Sequence, residues 1–370
     1  MDEFQKAVTE ALDNLGRRIR NLETQELPEP LTVGGILVSD MNYMHGRRNL
    51  ILNSGFFGWQ FGTSITRAQL AAAAIPYRLY TADQWRVQSA ATDRGTYTIS
   101  RQSSQEYYLF DSIFCLEWAQ TVAPSNSNYL EQPIENVTIC TNQYVTLSFW
   151  ARTIAGTFSF SSIQFGQNFG TGGSSTVLTT IASSVSVPNT WTKFVYTFQV
   201  PTISGKTIGS DHYIFIRWNV PSSGTWTFRI AQPQLEYGRT ASQYEYLGPR
   251  GDIILLWRYL EKSYELNTAP ATNTFLGRWT TCVSPQSTPN GSGWAGLTRP
   301  RFRVSKRTVP TMYLWDDSGT ANQWLIGNVL RACTTGAVSM EGFGVVNNTG
   351  GAVTPSDHTS GGHWLADARF

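Results

Sequence analysis

The residues best suited to chemistry are four histidines, four cysteines, thirteen tryptophans and twenty-six carboxylates, and their spacing decides what they can do. His358 and His363 lie five apart in a Gly/Ser-rich stretch, while His45 and His212 stand alone. A metal-pair reading is the lesser one, because a metal centre needs Cys or carboxylate partners converging on such a pair and the spacing marks no such set, so no metal ligands are assigned. Cys115, Cys140, Cys282 and Cys333 form no close pair, which leaves two readings: buried thiols, or a disulfide between Cys115 and Cys140. Asp and Glu are scattered. Glu236 and Glu245 fall at the end of a strand, where bonds to backbone or to neighbouring chains suit them better than catalysis. Glycan cleavage needs paired carboxylates about 5–10 Å apart, often displayed on a repetitive scaffold, and no repeat period is visible. There is no Gly-rich phosphate loop and no nucleophile elbow. No catalytic residues are therefore expected. Arg250-Gly251-Asp252 is read as a linker turn in which glycine permits the bend and Asp252 caps the residues after it.

The aromatic residues carry more information. Trp150, Trp218 and Trp226 sit in alternating strands and are expected in the core or between sheets. Trp279, Trp294 and Trp324 lie in polar, Gly/Ser/Thr/Asn-rich surroundings, Trp294 within Asn290-Gly291-Ser292-Gly293-Trp294-Ala295-Gly296. Exposed rings there would either stack on the apolar faces of sugars or pack between subunits, since aromatics enrich at both kinds of surface.

The elements that must hold these residues are strands. Charged residues make up 15% of the chain, against about 25% in typical soluble proteins, and aromatics reach 13%. Abundant Gly, Ser, Thr and Asn mark many turns. Short alternating runs recur over Gln84–Val87, Tyr97–Arg101, Ser112–Trp118, Tyr144–Ala151, Trp191–Val200, Tyr213–Val220 and Trp226–Ile230, with Leu50–Leu52 opening the series. Later runs cover Arg301–Val304, Thr311–Trp315, Phe343–Val346 and Trp364–Phe370. Ile253, Trp257 and Leu260 suit a short helical turn or a strand. The fold class is mainly β, with two antiparallel, jelly-roll-like β-sandwiches over residues 49–247 and 251–370. Residues 31–48 read as a linker.

Residues 1–30 differ. Val8, Leu12, Leu15, Ile19 and Leu22 are spaced 4, 3, 4 and 3, the seam of a short coiled coil, and Pro28 and Pro30 come directly after. The alternative is an amphipathic helix packed on its own domain, whose apolar stripe is usually wider. Three heptads are marginal alone, so oligomerisation through this seam needs support from the domains or from a larger assembly. A net charge of +2 with no basic block gives no support for nucleic-acid binding, and no apolar run is long enough for membrane insertion. The start of the chain has no apolar signal core, so synthesis in a bacterial-type cytoplasm is expected.

A set of motifs in fixed order resembles a known family. They are Asn49-Leu50-Ile51-Leu52-Asn53-Ser54-Gly55-Phe56 with Trp59, Ala82-Asp83-Gln84-Trp85, and Phe149-Trp150-Ala151-Arg152. After them come Gln234-Leu235-Glu236 with Gly238, Tyr244-Glu245, Arg258-Tyr259-Leu260-Glu261-Lys262-Ser263-Tyr264 and Ala366-Asp367-Ala368. Over residues 49–370 this looks like the tail fibres and carbohydrate-binding-module-like structural proteins of tailed bacteriophages. The resemblance implies a non-enzymatic homotrimer exposed on the virion. It would attach to other virion proteins through residues 1–30 and contact host cell-surface carbohydrate through its outer part. A capsid decoration protein or head fibre is the alternative, and a polysaccharide-degrading tailspike a more distant one. No cofactor is implied, apart from the calcium ion that such sandwiches sometimes hold.

Overall fold

The computed structural model describes residues 32–33, 36–37, 47–71, 79–89, 95–103, 111–282, 293–294, 299–326, 329–348 and 359–370. The seam residues Val8, Leu12, Leu15, Ile19 and Leu22 lie outside them, as does His358. A short pair, β1 (Thr32–Val33) and β2 (Ile36–Leu37), comes first. The main unit begins with β3 (Ser64–Thr66), α1 (Arg67–Ala71), β4 (Arg86–Ser89), β5 (Thr96–Ser103), β6 (Phe114–Val122), β7 (Asn128–Glu135) and β8 (Tyr144–Ala155). It is completed by β9 (Phe158–Asn168), β10 (Val177–Val187), β11 (Thr192–Gln199), β12 (Tyr213–Asn219) and β13 (Trp226–Tyr237).

Two antiparallel sheets result, one in the order β10-β9-β12-β7-β4 and the other in the order β11-β8-β13-β6-β5-β3. The period-2 pattern explains the layering. In β12, Ile214, Ile216 and Trp218 point inward, while Tyr213, Arg217 and Asn219 keep partial exposure outside. The interior is aromatic. Phe158 stacks on Phe228 at 4.3 Å, Trp118 meets Trp226 at 5.6 Å, and Trp85 meets Trp218 at 5.6 Å. Trp218 and Trp226 therefore sit between the sheets as expected. Trp150 does not. It pairs with Lys193 and Ala231 across the outer face of the six-stranded sheet and packs with Cys115 and Trp191. Cys115, Cys140 and Cys333 are free and buried, their thiols pushed up to about 12 by burial.

The expected opening strand at Leu50–Leu52 is instead the start of a clasp. Leu50 N donates to Leu235 O at 2.8 Å, and Asn53 turns the chain at φ 51°. The Glu245 carboxylate accepts from the N–H groups of Arg48 and Asn49 at 3.0 and 2.7 Å. Asn49 Nδ2 reaches Ser54 Oγ and Pro233 O, and Glu236 accepts from Ser242 N at 2.9 Å. Glu236 and Glu245 bond backbone, the Ser242 hydroxyl and the Gln234 amide, in line with their reading as strand-end residues.

The chain continues as α2 (Gly248–Trp257), β14 (Leu260–Lys262), β15 (Trp279–Cys282), β16 (Gly293–Trp294), β17 (Thr311–Trp315), β18 (Gln323–Ile326), β19 (Val329–Gly336), β20 (Gly344–Asn347) and β21 (Thr359–Asp367). Arg250, Gly251 and Asp252 lie in α2, not in a turn, and Asp252 is buried. The unit expected as a second sandwich is built on one eight-stranded sheet with β21 as its spine. β14 and β17 pair with its second half, β15 and β18 with its first. Arg301–Val304, expected as a strand, makes only a single bridge, Arg301 to Gly342.

The two units share a core: Leu260, Tyr264, Trp315 and Leu365 join the same apolar cluster as the sandwich. Polar contacts seal the junction. Gln60 Nε2 donates to Leu260 O at 2.9 Å, and Lys262 Nζ donates to the carbonyls of Gln60 and Thr268. Arg258 binds the Glu135 carboxylate through two bonds of 2.8 and 2.7 Å, and Arg307 reaches Asp211 at 2.6 Å.

Candidate functional site

The sandwich has two outer faces, and that of the five-stranded sheet gathers a connected set of polar and aromatic side chains. Register places them in rows. Arg217 of β12 stands opposite Glu131 of β7 and Gln164 of β9, and Arg86 of β4 stands opposite Glu131 from the other side. In the next row Asn219 faces Tyr129 and Ser162, with Gln88 beside Tyr129. Toward the other end come Phe215 with Pro133 and Gly166, then Tyr213 with Glu135 and Asn168. Pro133 is tolerated inside β7 because β4 ends opposite Glu131, leaving β7 only one hydrogen-bonded neighbour there.

Glu131 is the centre of this arrangement. Its Oε1 accepts from Arg86 Nε at 2.8 Å and from Arg86 Nη2; its Oε2 accepts from Arg217 Nε at 2.8 Å and Nη2 at 2.7 Å. The Arg217 guanidinium lies 3.8 Å from the Tyr129 ring and 4.8 Å from Phe215. Phe215 in turn lies flat over Gly166, where an added Cβ would come within 2.0 Å of its ring. Arg86 also donates to the Tyr213 hydroxyl at 2.7 Å. Tyr129 OH bonds Gln88 Oε1 at 3.1 Å, and Asn219 Nδ2 bonds Ser162 Oγ and Gln164 Oε1, both at 3.0 Å. Burial pushes the Tyr129 phenol up, so it stays neutral. Burial also disfavours charge on Glu135, but the hydrogen bonds and charge of Arg258 hold its carboxyl below the ordinary range. The side chains are thus fixed before any ligand arrives, which lowers the ordering cost of binding.

At the Tyr213 end the C-terminal unit forms a wall. The Phe370 ring packs 4.7 Å from Tyr213, and Arg307 lies 4.1 Å over Phe370. A cleft of about 680 Å³ opens there, lined by Asn168, Thr171, Asp211, Tyr213, Arg307 and Phe370 among others.

The tryptophans singled out from sequence lie elsewhere. Trp324 is fully buried, with Nε1 donating to Ser360 Oγ at 2.9 Å and its ring over Gly362, where a Cβ would meet it at 2.5 Å. Its expected exposure is corrected: a polar stretch of sequence surrounds a core residue. Trp279 is half-buried and packs 6.1 Å from Trp324. Trp294 pairs with Val346 in β16, apart from these rows. His363 has both ring nitrogens engaged, Nδ1 with Ser263 Oγ at 3.1 Å and Nε2 with Thr274 O at 2.9 Å, and Tyr264 stacks on it at 3.9 Å. Sequence reasoning missed Tyr129, Glu131, Gln164, Arg217 and Asn219. The alternation of Tyr213, Phe215, Arg217 and Asn219 in β12 was the available signal for an outer face with chemistry on it.

Comparison with known proteins gives a sparse picture. No family model matches the chain, and no curated protein matches it. Among solved structures it is similar to the enzymatically active domain of bacteriophage CBA120 tailspike protein 4. Identity there is 17% and the TM-score 0.29, covering 42% of this chain and 19% of that one. It thus spans less than a fifth of the tailspike's length. It is also similar to the C-terminal family 22 carbohydrate-binding module of Clostridium thermocellum Xyn10B. The TM-score is 0.31 and identity 16%, covering 43% of this chain and 89% of that one. A family 11 module of a Clostridium thermocellum cellulosomal cellulase gives a TM-score of 0.28 at 10% identity, covering 44% and 91%. At such scores these likenesses carry no argument about function, which rests on the residues of the face itself.

Proposed function

We propose that this chain is a non-enzymatic glycan-binding protein and that the outer face of its five-stranded sheet is the binding surface. The observation that carries this reading is the pre-held row of Tyr129, Arg217, Asn219, Gln164 and Gln88 on a rigid sheet. Such a row offers hydrogen-bond donors and acceptors in fixed positions beside aromatic carbon, which is what a polyhydroxylated ring with one apolar side requires. The carboxylates of the face support binding over hydrolysis. Glu131 accepts bonds from two guanidiniums and Glu135 from Arg258, so both carboxylates are committed to arginines of the chain itself and neither is left free to face a glycosidic bond. The test is titration of a panel of oligosaccharides against the protein and its Asn219→Ala and Gln88→Ala variants. At least one saccharide is expected to bind, with affinity falling about tenfold in each variant, a loss typical of one removed hydrogen bond. A panel without binders, or variants that bind as the parent does, would overturn the reading.

The motif order over residues 49–370 supports placing this surface on a phage particle, as a homotrimeric tail fibre that contacts host-surface glycans for adsorption. In this reading Val8, Leu12, Leu15, Ile19 and Leu22 bundle the chains and residues 1–30 attach them to the virion. The outermost strands β10 and β11 support self-association too, since Lys193 is the only charge along either edge. Antibody against residues 251–370 should label the tail end of intact particles in electron micrographs. Label over the head would instead make the chain a decoration protein or head fibre. Deletion of residues 1–30 should abolish incorporation into particles.

A further inference from the structure

We infer that the glycan bound by this face is acidic, its anionic group seated against Arg217; this rests on the glycan-binding reading above. The argument is one of charge in a desolvated place. One carboxylate, Glu131, serves two guanidiniums, Arg86 and Arg217, so the cluster carries one unbalanced positive charge. Its side chains are only 8%, 1% and 18% exposed for Arg86, Glu131 and Arg217 respectively. Water therefore screens the excess poorly, and a bound anion is favoured far more than at a solvated surface.

The neighbours do not supply that anion. Glu135 is committed to Arg258 and Tyr259, and Asp211 to Arg307. Tyr129, Tyr213, Gln88, Gln164 and Asn219, which surround the pair, bring phenol and amide groups and no carboxylate. Arg86 is the more deeply held of the two, its Nε and Nη2 on Glu131, Nη2 also on Tyr213, and its side chain 8% exposed. Arg217 is the more accessible at 18%: Nε and Nη2 bind Glu131, while Nη1 has no hydrogen-bond partner among the described residues. Glu131 and the rings of Tyr129 and Phe215 hold the guanidinium in one plane, so the free Nη1 is a fixed donor carrying charge. A carboxylate or phosphate on a sugar would complete the cluster, while hydroxyls of the same ring meet the amides beside it.

Isothermal titration of the full chain would use a galacturonate oligosaccharide and the same oligosaccharide after reduction of its carboxylates to alcohols. A parallel pair would be a mannose 6-phosphate oligosaccharide and its dephosphorylated form. An acidic member should bind at least tenfold tighter than its neutral counterpart, with a preference that shrinks on raising salt from 50 to 300 mM, as charge pairing does. The pair showing the preference identifies carboxylate or phosphate as the group recognised. Arg217→Gln should bind the acidic and neutral forms alike, and Arg217→Lys, which keeps the charge, should retain part of the preference and report on folding. Equal binding of acidic and neutral forms by the parent protein would overturn this inference and leave glycan binding standing. No binding of any form, with none across the wider panel, would overturn both.

Discussion

Replacing Glu131 with Gln removes one negative charge from between two guanidiniums without changing side-chain size. The residue is 1% exposed and accepts four bonds, two from each arginine. Loss of one partner from a buried ion pair typically costs about 3–5 kcal/mol, because the remaining charge stays desolvated and unpaired. Here two charges are left facing each other, so the upper part of that range is expected. Urea unfolding followed by tryptophan fluorescence should show a lower midpoint at unchanged slope. Glu135→Gln is the internal comparison. Its pair with Arg258 is 34% and 38% exposed, and exposed pairs contribute about 0–1 kcal/mol. Replacing all three buried residues together, as Arg86→Met, Glu131→Leu and Arg217→Met, should recover most of the loss. A cost for Glu131→Gln no larger than that for Glu135→Gln would refute the reasoning, since the cluster would then be solvated like any surface pair.

Further expectations rest on single contacts. Gly166→Ala puts a methyl 2.0 Å from the Phe215 ring and should cost about 1–3 kcal/mol while weakening saccharide binding, read by unfolding and titration together. Trp324→Ala should cost about 3–5 kcal/mol in urea and leave the affinity of the folded protein for saccharide unchanged. Burial raises the Asp252 carboxyl to about 6 against the opposing charge of Arg47. Its contribution is full below about pH 4 and is lost as pH rises through 6, a change of about 3 kcal/mol that Asp252→Asn should flatten in a pH series of unfolding midpoints. Truncation after residue 247 removes Leu260, Tyr264, Trp315 and Leu365 from the shared core, so the fragment should bind a hydrophobic dye and unfold at lower urea than the full chain.

Strands with clean alternation were legible from sequence. Tyr144–Ala151, Tyr213–Val220 and Thr311–Trp315 fall within a residue or a few of β8, β12 and β17. The polar outer face of the five-stranded sheet was not legible, because three strands of that sheet break the alternation. In β7, Glu131, Gln132 and Pro133 are all buried between apolar neighbours, so the run Asn128–Glu135 shows no period of two. β9 and β10 are rich in Ser, Thr and Gln and resemble loop sequence. Polar residues on a strand that serve a face or a network carry no hydrophobic signature, and only the register reveals them. The same effect misdirected the reading of Trp324, whose polar sequence neighbours are turns around a buried ring. The family-like motifs Asn49–Phe56, Gln234–Glu236 and Tyr244-Glu245 proved to be parts of one clasp, a structural role with no chemistry of its own.

That clasp sets how the protein bears load. Residues 48 and 49 enter the sandwich hydrogen-bonded to Glu245, three residues before α2 leaves it. A pull between the preceding segment and the C-terminal unit therefore passes straight across these bonds, and the nearly two hundred residues in between lie outside the line of force. The five-stranded sheet meets the same pull only through its contacts with the C-terminal unit, Glu135 with Arg258 and Tyr213 with Phe370. The row of Arg217 and Tyr129 lies further along the sheet, held by its own ladders.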